Sequence, residues 1–167
     1  EILISFNEYN GSFDSNLAKY GVMPLPPYIK RKNEYSVDDF AAYQTLYAKR
    51  SGAVASPTAG LHFTQALMDE LKQRGINTAF ITLHIGAGTF LPVRVEETAD
   101  HTMHSEWGEI GETVAEKINQ VRAKGGKIVA VGSTSLRLLE TAADKSGKLY
   151  PFCGETSIFI VPGYKFK

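Results

Sequence analysis

An α/β fold built on a parallel sheet is what this sequence predicts, and two observations carry the expectation. From Ala53 onward short apolar segments alternate with amphipathic stretches of helical period, and each apolar segment runs into a loop rich in Gly, Ser, Thr or His. That alternation is the pattern of βαβ units, in which a crossover helix returns the chain so that successive strands lie parallel. The length of 167 residues, with 43% hydrophobic and 22% charged residues, suits a globular domain of ordinary composition.

Taken in order, residues 1–6 alternate as a strand (Ile2-Leu3-Ile4-Ser5-Phe6), and the Asn10-Gly11 pair makes Asn7–Ser12 a turn. Phe13–Tyr20 is expected to be a short helix closed by Gly21. The proline-dense Met23–Ile29 must be extended, because each Pro fixes φ and removes a donor, and it is expected to be a rigid connector near a domain boundary. Asp38–Lys49 carries Phe40, Tyr43, Leu46 and Tyr47 at helical spacing. Ala53–Ala55 predicts a strand, followed by the loop Ser56–Thr64, a helix Gln65–Arg74 with Thr64 as N-cap, and a strand Thr78–Ile85. An excursion through Pro92–Ile110 precedes a helix Glu112–Lys124. A strand Lys127–Gly132 then leads to Ser133-Thr134-Ser135, expected to cap a helix Leu136–Ala143, and the last strand is Thr156–Val161.

Several classes fall away. Gly 15 and Pro 7 are ordinary usage, so neither a collagen-like nor a low-complexity chain fits. The longest apolar runs, such as Ala79–Leu83, are far short of the ~20 residues of a membrane-spanning helix. Cys153, the single cysteine, makes no intramolecular disulfide and no multi-thiolate metal site, and no secretory leader is evident, so a cytoplasmic protein is expected. Lys+Arg 18 balance Asp+Glu 18, which leaves net charge silent about partners. Strand-like patterns flush against both ends lead us to expect a piece of a longer polypeptide.

If strands 53–55, 78–85, 127–132 and 156–161 run parallel, their following loops emerge at one carboxyl edge, where such sheets place ligands. All four histidines, His62, His84, His101 and His104, fall in or near those loops. His101-Thr-Met-His104-Ser-Glu106 suits either a metal or a polar hydrogen-bonding ladder. Gly132-Ser133-Thr134-Ser135 offers backbone N–H groups and hydroxyls to an anion or a carboxylate, with simple N-capping as the alternative, and Arg137 could add a bidentate donor. His84-Ile-Gly-Ala-Gly-Thr is a glycine turn without the dinucleotide-binding spacing.

Longer motifs go further. Met23-Pro-Leu-Pro-Pro-Tyr28-Ile29, Pro57-Thr-Ala-Gly-Leu-His-Phe63, Thr82-Leu-His-Ile-Gly-Ala-Gly-Thr-Phe90, Pro92-Val-Arg94, His101-Thr-Met-His-Ser-Glu106, Gly132-Ser-Thr-Ser-Leu-Arg137 and Ile158-Phe-Ile160 with Pro162-Gly-Tyr164 together resemble the S-adenosylmethionine:tRNA ribosyltransferase-isomerases of queuosine biosynthesis. The resemblance runs from about Met23 to the end. It implies transfer and isomerisation of the ribosyl part of S-adenosylmethionine onto 7-aminomethyl-7-deazaguanine in the tRNA anticodon, giving epoxyqueuosine-tRNA. It implies no metal and no cofactor, since S-adenosylmethionine is consumed as a substrate, and a cytoplasmic monomer that binds tRNA and no membrane. The implied fold is a larger α/β barrel-like domain, of which residues 13–167 would be the central part, joined to a small β-barrel domain ending at residues 1–12. Most of the small domain would precede Glu1, and further motifs would follow Lys167.

That reaction sets demands that can be matched to residue types: removal of a C5′ proton, departure of adenine, and stabilisation of an oxyanion. On this basis His84 or His104 is the expected base, with Glu106 orienting an imidazole or accepting a proton itself. Arg94 and Arg137 would hold a carboxylate or phosphate, Thr134 and Ser135 would donate to the methionine carboxylate or the ribose, and Thr58, His62 and His101 would contact substrate. Lys30-Arg31-Lys32, Lys49-Arg50 and Lys165 with Lys167 are the basic groups expected to meet tRNA phosphates. Two other readings remain open: a folded substrate- or tRNA-binding module without activity, and a metal-dependent hydrolase using the four histidines.

Overall fold

The computed structural model describes residues 12–30, 38–91 and 95–167. The expected strand 1–6, the basic pair Arg31-Lys32 and the candidate Arg94 lie outside them.

Helix formation follows the capping signals. Helix α1 (Phe13–Tyr20) starts where the Ser12 hydroxyl accepts the Ser15 N–H at 3.3 Å, and it stops at Gly21, whose N–H returns to the Leu17 carbonyl. Helix α2 (Asp38–Ala42) is shorter than the aromatic stripe predicts. The Gln44 side chain accepts the Thr45 N–H at 2.9 Å and a turn from Thr45 to Ala48 follows, so local bonds compete successfully with the helical ladder. Helix α3 (Gln65–Gln73) has Thr64 as its N-cap, bonded to the Leu67 N–H, as the sequence predicts. Helix α4 (Glu112–Ala123) and helix α5 (Ser133–Ala142) follow. Ser133, Thr134 and Ser135 form the first turn of α5 rather than its cap. The cap is Gly132 at φ +87°, a backbone conformation that side chains with a Cβ rarely adopt.

Three strands make the described sheet: β1 (Thr82–His84), β2 (Glu106–Ile110) and β3 (Phe152–Thr156), in the order β1-β2-β3. Both pairings are antiparallel, with Leu83 opposite Gly108 and Gly108 opposite Gly154. This differs from the parallel ladder expected for 53–55, 78–85, 127–132 and 156–161. The physical reason lies in the excursion before Ile110: Glu106-Trp-Gly-Glu-Ile inserts as the central strand. Residues 127–132 carry no ladder among the described residues. The 53–55 segment meets the end of β1 through a single Val54 N–H to Ile85 carbonyl bond of 2.8 Å.

The core lies between the sheet and the last two helices. Ile110, Ala115, Leu138, Ala142 and Leu149 are buried together, flanked by Leu83, Val114, Ile118 and Phe152. Asn119 on α4 clasps the backbone of Leu149 at both ends of its amide, at 2.7 and 2.9 Å. On β2 the alternate residues Glu106, Gly108 and Ile110 are buried. Leu138 of α5 covers Gly108 so closely that a Cβ there would stand 2.7 Å from its Cδ1. A methyl at this position overpacks a fully buried leucine, at about 1–3 kcal/mol. That exceeds the ~0.4–1 kcal/mol gained from a stiffer unfolded chain. Gly108→Ala is therefore expected to lower the urea midpoint at unchanged m-value; an equal or higher midpoint would show that Leu138 has room to move.

Candidate functional site

The period of β2 decides which of its residues can do chemistry. Glu106 shares its α5-facing side with Gly108 and Ile110, so a carboxylate is carried into the interior by the same alternation that buries Ile110. Its partner comes from α5. Arg137 Nη1 donates to Glu106 Oε2 at 2.7 Å, with the two side chains 11% and 9% exposed. The other two nitrogens of the guanidinium each donate as well, Nε to the Ile158 carbonyl at 2.9 Å and Nη2 to the Thr156 carbonyl at 3.5 Å. One turn along α5, the Thr141 hydroxyl sits 2.6 Å from that of Thr156. Helix α5, β2 and the chain leaving β3 are thus tied at one polar node.

This node forms a wall of a cleft of about 700 Å³. The cleft collects loops that are distant in sequence. Pro26 to Tyr28, Ser56 to Thr58, Gly88 to Leu91, His101, Met103 and His104, the start of α5 and Phe159 all line it. His101 packs on the Phe159 ring with centroids 5.0 Å apart. His104 lies against Gly88, where a Cβ would come within 2.5 Å of the imidazole, so the glycine turn after β1 is what admits that ring. Tyr43 lies in the wall, buried, and burial raises its hydroxyl pKa above the usual 10.0. Tyr28 adds to the rise and the Ser56 backbone N–H opposes it.

Of the residues chosen from sequence, Thr58, His101, His104, Glu106, Thr134 and Arg137 line the cleft together. Three described candidates stand apart from that lining. His62 is exposed at the end of a short 3-10 helix (Thr58–His62), and Ser135 is half-buried in the first turn of α5. His84 is the residue before the lining Ile85; it stacks on Trp107 with ring centroids 5.1 Å apart, and its Nδ1 is buried without a hydrogen-bond partner. Sequence reasoning passed over Ser56, Tyr43 and Phe159. Tyr43 read as one member of a helical stripe, and Ser56 stood unremarked in a loop that was itself singled out.

The four histidines do not converge. Among the described residues no group of three or more His, Cys, Asp or Glu side chains is placed to hold a metal ion. No helix of the described residues is long and apolar enough to cross a membrane. Of the basic groups, Arg50 pairs with Glu109, and the Lys167 ammonium donates to the Glu140 and Ala143 carbonyls, while Lys30, Lys49 and Lys165 are exposed.

A family model described as queuosine biosynthesis protein matches residues 1–167. The chain belongs to that family. Among curated relatives it is 54% identical over 167 residues to a protein of Bradyrhizobium diazoefficiens, covering 100% of this chain and 46% of the relative. A protein of Parvibaculum lavamentivorans is 57% identical over 164 residues, covering 98% of this chain and 47% of the relative. A third, from Phenylobacterium zucineum, is 52% identical over 167 residues, with 47% of the relative covered. Each of these relatives is named S-adenosylmethionine:tRNA ribosyltransferase-isomerase. The chain spans about half the length of the curated relatives it matches.

Two expectations follow for this family member. Arg137→Ala leaves the Glu106 carboxylate buried and alone, which costs about 3–5 kcal/mol in a denaturation curve, whereas Arg137→Met combined with Glu106→Leu costs far less. A loss below ~1 kcal/mol for Arg137→Ala would mean that the pair is solvated. The second concerns alkaline pH. Tyr43, Tyr47 and Tyr164 all have raised hydroxyl pKa values, with burial the largest cause in each. Folding therefore favours their neutral forms. The stability this contributes is intact below 10.0 and is lost as pH rises through the higher folded values. Urea midpoints measured from about pH 9 to about pH 11 should fall, and less steeply for Tyr43→Phe.

Proposed function

We propose that this chain carries part of the active site of an S-adenosylmethionine:tRNA ribosyltransferase-isomerase. The enzyme would transfer and isomerise the ribosyl part of S-adenosylmethionine onto 7-aminomethyl-7-deazaguanine in the tRNA anticodon. The observation that carries this reading is the 54% and 57% identity, along essentially the whole chain, to relatives bearing that name. The cleft supports it with the right kinds of groups: two imidazoles, a buried carboxylate and a helix start, gathered around a volume of about 700 Å³.

The proposed chemistry uses them as follows. A C5′ proton beside the sulfonium has to be taken up, adenine leaves with a proton, the neutral amine of the modified base attacks, and the resulting oxyanion closes the epoxide and expels methionine. His104, in the cleft lining where His84 is not, is the base. Glu106, paired with Arg137, orients an imidazole or itself accepts a proton. Arg137 acts through Glu106, because its guanidinium is engaged there and on two carbonyls. Thr58, His101 and Thr134 contact substrate, and Arg94 is retained from the sequence as an anion-binding residue. Of the described basic candidates, Lys30, Lys49 and Lys165 are exposed and would meet tRNA, with Arg31 and Lys32 retained from the sequence.

The wider setting belongs to the same proposal: a cytoplasmic monomer without a cofactor, with residues 13–167 central to a barrel-like α/β domain and residues 1–12 ending a small β-barrel domain. The Val54 to Ile85 bond, which sets the 53–55 segment beside the end of β1, supports that continuation.

Release of adenine from S-adenosylmethionine, in the presence of the modified tRNA, tests the reading. His104→Ala is expected to lower the rate about 10²–10⁴-fold, as loss of a general base does. Near-native rates in both His104→Ala and Glu106→Gln would overturn the assignment. If the 167-residue chain binds S-adenosylmethionine and releases no adenine, the binding-module reading takes its place.

A further inference from the structure

Buried hydroxyls almost always have a partner, because an unmet one forfeits its bonds to water for nothing in return. The Ser56 hydroxyl is an exception. Ser56 is 8% exposed, its Oγ is buried without a hydrogen-bond partner, and the residue lines the cleft. A second set of donors lies along the same cleft. Helix α5 begins at Gly132, which supplies no side-chain cap for the N–H groups of the first turn. That start abuts the Ser56 loop: a Cβ on Gly132 would sit 3.3 Å from the Ala59 Cβ, and Ser133 and Thr134 line the same cleft. Arg137 does not compete for an anion here, since its charge is met by Glu106.

We propose that Ser56 is a specificity-determining residue, its hydroxyl and the uncapped start of α5 together binding the carboxylate of an amino-acid-bearing ligand. A carboxylate matches both halves of the site. It accepts hydrogen bonds only, and its charge is favoured at a helix N-terminus. The unmet hydroxyl is then a donor held ready for the ligand. The inference rests on the proposed function for the identity of that ligand, the methionine portion of S-adenosylmethionine.

Calorimetric titration of the 167-residue chain with S-adenosylmethionine and with its decarboxylated analogue tests this. The unaltered chain should prefer the carboxylated ligand by about tenfold or more, and Ser56→Ala should reduce the preference to within about threefold. Ser56→Cys, nearly the same size but a weak donor, should behave like Ser56→Ala. Melting temperatures supply the readout that a packing role would not satisfy. Removal of an unpartnered hydroxyl leaves the melting temperature unchanged or raises it. Undiminished preference in Ser56→Ala, or a melting temperature several degrees lower, overturns the inference and leaves the proposed function standing. Binding of neither ligand by the unaltered chain overturns the proposed function, and the inference with it.

Discussion

The ion pair between Arg137 and Glu106 is the constraint around which the described structure is arranged. A carboxylate at the end of a central strand and a guanidinium on the covering helix are both costly to bury, and each is tolerable only because the other is there. Arg137 further satisfies the carbonyls of Thr156, the last residue of β3, and of Ile158 just beyond it. One side chain therefore fixes the height of α5 on the sheet and the direction in which the chain departs from β3. The cleft inherits its wall from that arrangement.

Packing below the pair reinforces it. Leu138, the next residue on α5, has no exposed surface and closes on Gly108, the next inward position on β2. A glycine is needed there because helix and strand approach too closely for any side chain on the strand. The apolar contact and the ion pair thus select the same register between α5 and β2, and a slip by one residue would lose both. Rigidity at this junction is what a site needs if an imidazole on a neighbouring loop is to meet a substrate atom reproducibly. The histidines themselves sit on less regular chain, held by aromatic and glycine contacts: His101 on Phe159, His104 against Gly88.

Much of this was legible in the sequence, for reasons that can be named. Helices α1, α3 and α4 begin and end within a residue or two of their expected bounds, with Thr64 capping α3 and Gly21 closing α1 as the sequence predicts, because capping is a local matter of backbone groups and the nearest side chain. Thr58, His101, His104, Glu106, Thr134 and Arg137, all chosen from sequence, line one cleft, although that cleft is not the carboxyl edge of a parallel sheet where their convergence was expected. The strands were not legible. An apolar run such as 127–132 states only that it would suit burial, and a ladder forms where a partner strand is available. Glu106–Ile110 was passed over because Glu-Trp-Gly-Glu-Ile carries no polar–apolar alternation; the buried face, Glu106, Gly108 and Ile110, is set by packing under α5.

By itself, the sequence determined where helices α1, α3 and α4 would form and to which family the chain belongs, since each depends on residue types at short or motif spacing that survive without knowledge of the fold. Only the tertiary structure decided that the described ladder is antiparallel, that Arg137 is spent on Glu106, that His84 turns to Trp107 while His104 faces the cleft, and that Ser56 holds an unmet hydroxyl. These are facts about which groups remain unpartnered after packing. Partnership between residues dozens of positions apart is set by the burial and register of whole elements, and no local pattern contains it.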